Sequence, residues 1–309
     1  MGMTSLSAQN QADEMSEELK IVKAPIEKVD RTPVVFKQQE NGFTLAGILY
    51  RPRNRKPNEK LKAVIVNGPM YSVMEQTQSI YAQFLAEAGY ATLVFDHSYI
   101  GASEGYPRGY EDPEIKGADT RSAVTFLQSL DFIEKDHIGA VGICGSGVYV
   151  PNGLRNDTRV KAIVSVVPFI MMTDIKTNTD EELIKMKQDY ENGGEVVRLD
   201  LIKGSEGEAY YRNADRGAAV QGCPTPAWSQ LVWHKFHPTE TVKELKVPYL
   251  VIAGEKAFTR EGSELMFKNA PEPKFFHLTK GASHFEMYDM EKYVKENIGE
   301  ILKFFENFL

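Results

Sequence analysis

Short apolar runs and helical repeats alternate along most of this chain. The first β-rich runs, VVFKQQ and FTLAGILY, flank Glu40-Asn41-Gly42, and because Asn-Gly readily takes positive φ the pair reads as a hairpin. From Leu61 onward, apolar strands alternate with amphipathic helices: LKAVIVN, a helix over 76–88 ending at Gly89, YATLVFD, a helix over 117–131, IGAVGI, a helix after Cys144, and VKAIVSVV. Strands that are apolar on both faces need cover on both sides. The fold class is therefore α/β, a mostly parallel central sheet flanked by helices.

The rhythm breaks over 169–240, which is charged, helical in pattern around 179–191, and rich in Met, Trp, Tyr and Pro. It resumes with VPYLVIAG, a helix over 260–269, the strand KFFHLT and a terminal helix over 290–309. One core built from 33–168 and 241–309, interrupted by an inserted helical cap at 169–240, accounts for this better than two independent domains. Residues 1–32 are polar with little period and read as a flexible, loosely docked extension.

The 309 residues are 42% apolar and 26% charged, which excludes a disordered or collagen-like chain. With 36 basic and 43 acidic residues the net charge is −7, so the overall field does not favour nucleic acid. The basic run Arg51, Arg53, Arg55, Lys56 lies between prolines and reads as a solvated loop. Only two cysteines are present, Cys144 and Cys223, too few for a disulfide framework and in keeping with a reducing compartment. No secretory leader or membrane-length apolar stretch is apparent, so a cytoplasmic location and no membrane partner are expected.

The most informative segment is Ile138-Gly139-Ala140-Val141-Gly142-Ile143-Cys144-Gly145-Ser146-Gly147. An apolar strand runs into a turn of small residues and then a helix, the setting of a nucleophile elbow, in which positions two before and two after the reactive residue must be small. With Cys144 at the apex these are Gly142 and Ser146. With Ser146 at the apex they would be Cys144 and Val148, a poorer fit, and Ser146 stands as the alternative nucleophile. A thiol at a helix N-terminus is expected to be driven toward thiolate. The bland alternative is a small core cysteine beside a glycine-rich turn.

Gly142-Ile143-Cys144-Gly145-Ser146-Gly147 resembles the G-x-C-x-G-G elbow of the dienelactone hydrolase-like branch of the α/β-hydrolase superfamily, with Ser for Gly at the fifth position. Leu93-Val94-Phe95-Asp96-His97 followed by Gly101-Ala102-Ser103-Glu104-Gly105 is similar to that superfamily's D-x-x-G-x-S-x-G segment. The resemblance implies His284, in the loop after the last strand, as the general base. The acid is expected three residues past Gly254, but Ala257 stands there. Glu255 is therefore taken as the acid, the alternatives being Asp96, Asp174, Glu261 or no acid at all. The oxyanion donors expected are the backbone N–H groups of Gly145 and Met70, Pro69 having none.

These assignments imply a hydrolase that cleaves a carboxylic ester, lactone or thioester through a cysteine acyl-enzyme. Met171, Met172, Tyr210, Tyr211, Trp228 and Trp233 would supply an apolar wall in the cap. The expected partner is a small-molecule acyl substrate, with a homodimer left open as an assembly; no cofactor is expected. Histidine spacing suggests no metal. A dinucleotide fingerprint is excluded because Cys144 fills the second glycine position of G-x-G-x-x-G. A non-catalytic, ligand-binding member of the fold is the competing reading, supported by the missing acid at 257.

Overall fold

The computed structural model describes residues 19–309 except 71, 171–174, 218–221 and 223. Two strands, β1 (Val29–Lys37) and β2 (Thr44–Pro52), form the antiparallel hairpin, with Gly42 at φ +77° between them. The remaining strands are β3 (Leu61–Asn67), β4 (Ala91–Phe95), β5 (Ile133–Ile143), β6 (Val160–Val166), β7 (Tyr249–Gly254) and β8 (Lys274–Thr279). They join β1 and β2 in one eight-stranded sheet of order β1-β2-β4-β3-β5-β6-β7-β8. Every pairing from β4 to β8 is parallel. The α/β expectation holds.

Helices α1 (Thr77–Glu87), α2 (Pro113–Ser129) and α3 (Ser146–Leu154) connect the early strands. The segment between β6 and β7 carries α4 (Asp180–Glu191), α5 (Glu206–Tyr211), α6 (Gln230–Trp233) and α7 (Pro238–Thr241). After β7 come α8 (Arg260–Asn269), α9 (Glu286–Asp289) and α10 (Glu291–Phe308). Tyr81 and Leu85 of α1 and Ile298, Ile301 and Phe305 of α10 pack with Val64, Val66, Val164 and Ile252 in one apolar layer. The second layer joins Val124 and Leu127 of α2, Val148 of α3 and Met266 of α8 to Ile65, Ala140, Ile163 and Val251. Each such side chain contributes roughly 1.5–3 kcal/mol by leaving water, so both faces of the central strands are anchored. None of the described helices is long and apolar enough to cross a membrane.

The amino-terminal part departs from expectation. Strand β1 begins at Val29 rather than Val34, and its alternating exposure explains why the pattern was faint: it is an edge strand, where Pro33 is tolerated because only one side is paired. Upstream, Val22 N–H donates to Asp289 O (2.7 Å), so residues 19–32 are docked onto α9 and the hairpin where they are described.

Within the segment between β6 and β7, Thr179 and Glu182 form a reciprocal cap at the start of α4. Tyr190 stacks on Trp228 with ring centroids 5.4 Å apart. Trp233 instead enters the main core, where its Nε1–H donates to Glu111 O at 3.0 Å. Glu206 and Arg216 hold this segment to the loop carrying His284. Glu206 Oε1 accepts from Phe285 N–H (3.0 Å), and Arg216 spans both carboxylate oxygens of Asp289 (2.6 and 2.9 Å).

Candidate active site

Strand β5 delivers Cys144 to the mouth of the sheet. The residue takes φ +57°, a left-handed conformation uncommon for a side-chain-bearing residue, and α3 starts two positions later. The bend is tight enough that a Cβ on Gly142 would lie 2.0 Å from Ser146 O, so glycine is required there. The backbone N–H groups of Gly145 and Met70 and the Tyr288 hydroxyl surround the sulfur closely enough to favour its charged form. Both expected oxyanion donors thus border this one atom. Ser146 Oγ, by contrast, is buried with no hydrogen-bond partner among the described residues, and nothing there can activate it.

The expected thiolate is not what the site favours. Cys144 is only 8% exposed, and burial pushes its thiol up to about 11, outweighing the opposite influence of the neighbouring Tyr288, Gly145 and Met70. A helix N-terminus contributes at most about 2 kcal/mol, whereas full burial shifts such groups by up to about 3–5 pKa units. Desolvation wins, and the resting sulfur is protonated.

His284 is fully buried, and desolvation pushes its imidazole down to about 3. Its Nδ1 lies 2.8 Å from Thr259 Oγ1 and its Nε2 lies 2.8 Å from the Tyr288 hydroxyl. The ring therefore reaches the sulfur through Tyr288. Neither Thr259 nor Tyr288 was singled out by sequence reasoning. Thr259 stands at the start of α8, where a threonine reads as a helix cap, yet its side chain makes no capping bond. Tyr288 follows His284 by four residues, a spacing that puts two side chains on one helical face, and that was the available signal.

The structure does not bring Glu255 to His284. Its Oε2 accepts from Gly281 N–H at 2.8 Å, bracing the loop that carries the histidine, while Thr259 takes the position beside Nδ1. Of the alternatives, Asp96 accepts from Met74 N–H and Ala102 N–H, both at 2.7 Å, and burial raises it to about 6. Its role is to tie two loops together. Glu261 is exposed on the first turn of α8, and Asp174 lies outside the described residues. Ala257 is buried as expected of an apolar side chain.

Four of the other five histidines pair with carboxylates elsewhere: His97 with Asp119 (3.1 Å), His234 with Asp180 (3.3 Å), His277 with Glu296 (2.9 Å) and His137 with Glu134 (3.1 Å); His237 stands at the start of α7. Among the described residues no group of three or more His, Cys, Asp or Glu side chains is arranged to hold a metal ion. Phe258 and Phe285 lie against the imidazole, with centroids 4.6 and 4.9 Å away. Tyr210 packs edge-on against Tyr288, and Tyr211 Oη donates to Met70 O at 3.4 Å. Trp228 and Trp233 pack away from this centre as described above, while Met171, Met172 and Cys223 lie outside the described residues.

No protein-family profile matches the chain. The uncharacterised protein PA2218 of Pseudomonas aeruginosa is 33% identical over 287 residues, 85% of this chain and 77% of that one. A crystal structure of PA2218 superposes with a TM-score of 0.83 at 30% identity, covering 95% of this chain and 100% of that one. A thiohydrolase of Eupenicillium brefeldianum is 24% identical over 288 residues, 87% of this chain and 91% of its own. The α/β hydrolase GrgF from Penicillium sp. sh18 shares the fold with a TM-score of 0.80 at 21% identity, over 90% of this chain and 98% of its own. The chain belongs to the family of PA2218, and its strand order and these likenesses give it the α/β-hydrolase fold.

Proposed function

We propose that this protein hydrolyses a carboxylic thioester or ester, lactones included, through an acyl-enzyme on Cys144, in the manner of the dienelactone hydrolase-like branch. One observation carries the reading: the sulfur sits at the apex of the elbow, beside the adjoining Gly145 and Met70 backbone groups. When a substrate carbonyl carbon bonds to that sulfur, its oxygen enters the same donor field, and the tetrahedral oxyanion is stabilised without reorganisation. Expulsion of the leaving group gives the acyl-cysteine, and water activated by His284 releases the acid.

The choice of cysteine follows from the base. An imidazole backed by the hydroxyl of Thr259 rather than a carboxylate is a weak base, and a thiol yields its proton to such a base more readily than a serine hydroxyl does. The relative named thiohydrolase supports thioesters as the first substrates to try. Residues of α5, chiefly Tyr210 and Tyr211, act as a cap whose rings keep water from the reacting atoms.

Turnover of a panel of acyl thioesters, aryl esters and enol lactones tests this. It is expected to vanish in Cys144→Ala and to fall by orders of magnitude in His284→Ala; unchanged turnover in Cys144→Ala overturns the reading. A second reading, ligand binding without turnover, draws on the absence of a carboxylate beside His284, and binding of these esters with no hydrolysis would support it.

A further inference from the structure

We infer that Tyr288 is a catalytic residue of this site: its hydroxyl passes the Cys144 proton to His284, so the nucleophile and the base work through a phenol rather than in direct contact. The inference rests on the cysteine acyl-enzyme reading for the reaction it serves.

The seat of the phenol is built with care. Tyr288 lies in α9, whose backbone is pinned from outside: Tyr81 Oη donates to Met287 O (2.7 Å), Thr77 Oγ1 donates to Tyr288 O (2.9 Å), and Arg216 grips Asp289. The ring is wedged among His284, Phe285 and Tyr210, with centroids 5.0–5.2 Å away. Its side chain is fully buried, so no water competes for the hydroxyl. That hydroxyl lies 2.8 Å from Nε2 of the base, and the sulfur of the nucleophile is near enough to act on it electrostatically. For packing alone, phenylalanine would fill the same space without burying a hydroxyl.

The relay requires one tautomer of the ring, which the Thr259 hydroxyl can accommodate as acceptor. With Nδ1–H donating to Thr259 Oγ1, Nε2 carries the free lone pair and accepts from the phenol, whose oxygen in turn accepts from the thiol. On attack, the S–H bond breaks as a new O–H bond forms at Tyr288, and the original Tyr288 O–H bond breaks as Nε2–H forms. The products are a thiolate held by the Gly145 and Met70 N–H groups, an unchanged phenol and an imidazolium. The reverse transfer delivers the proton to the departing group, and no external reactant is needed. The other ionisable groups nearest the pair are Glu111, Tyr210 and Tyr211.

Three measurements on the full-length protein decide the matter. Nitrogen-15 NMR of the histidines is expected to show neutral His284 protonated at Nδ1; protonation at Nε2 overturns the relay. Alkylation of Cys144 by iodoacetamide, followed by peptide mass analysis, needs no substrate. Internal transfer from thiol to imidazole leaves the total proton count unchanged, so wild type is expected to label at a rate that is flat from pH 5 to 8. In Tyr288→Phe the rate should fall by about a hundredfold, as for loss of a general base, and rise tenfold per pH unit. Equal rates and profiles in the two proteins overturn the relay.

Acyl-thioester hydrolysis by Tyr288→Phe should fall by about a hundredfold in kcat with little change in KM. In a His284→Ala background the same substitution should cost nothing further, whereas additive losses overturn the relay. Replacement of Tyr288 by ring-fluorinated tyrosine, which keeps the shape and the hydroxyl, should restore turnover and shift its pH profile. A wild-type protein that hydrolyses none of the substrates would sink the proposed function, and the labelling and NMR results would still decide the relay.

Discussion

Thr259 Oγ1 lies 2.8 Å from His284 Nδ1, and the threonine gives up capping α8 to hold that position. Its carbonyl accepts from Ser263 Oγ at 3.0 Å, which fixes the residue from below. Thr259→Val keeps the shape and removes the hydroxyl. A buried ring nitrogen left unpaired costs about 1–3 kcal/mol, so the urea midpoint should drop accordingly. Loss of ring orientation should also lower kcat by about ten- to a hundredfold. A variant with wild-type kinetics would show that Thr259 does not orient the base.

Glu255 makes the complementary test. Because its carboxylate accepts from Gly281 N–H, Glu255→Gln retains an oxygen for that bond. Turnover within about threefold of wild type is expected, because no proton transfer passes through this side chain. A loss on the scale of His284→Ala would restore Glu255 as the acid.

The oxyanion donors can be perturbed sterically. A Cβ on Gly145 would come 2.6 Å from Met70 Cγ and 3.1 Å from Met70 N, crowding the place where the carbonyl oxygen must enter. Gly145→Ala should reduce kcat by about a hundredfold or more and cost about 1–3 kcal/mol of stability as buried Met70 gives way. Unimpaired turnover would mean that the oxygen is bound elsewhere.

Acid stability should report the buried imidazole. His284 is pushed from its ordinary 6.5 down to about 3 in the folded protein, so between these values the unfolded chain binds the extra proton. Its contribution is full above pH 6.5 and is lost as the pH falls toward 3, by about 1.4 kcal/mol per unit. Denaturant titrations should show a slope in His284→Gln shallower than wild type by about one proton across this window. Identical slopes would mean that the imidazole is charged in the folded state.

How much of this was readable in the chain depends on the kind of force involved. Strands β3 to β7 announced themselves because burial on both faces demands unbroken apolar runs, and the elbow because Gly142 answers a steric requirement local to six residues. Strand β1 was shortened in the reading since one of its edges meets water and its pattern is correspondingly mixed. The partners of His284 were hidden for a different reason. Thr259 and Tyr288 have ordinary local explanations, as a cap and as a helix residue, and only the tertiary packing turns their hydroxyls toward one ring. The ionisation of Cys144 was misjudged because the helix end is visible in sequence while the depth of burial is not.

That depth has a consequence for survival in an oxidising cell. Peroxides react with thiolates far faster than with thiols, and the Cys144 thiol is buried, which raises it to about 11 and holds its proton. Under the proposed mechanism the thiolate would exist only in the course of reaction, and between turnovers the sulfur would resist conversion to sulfenic acid.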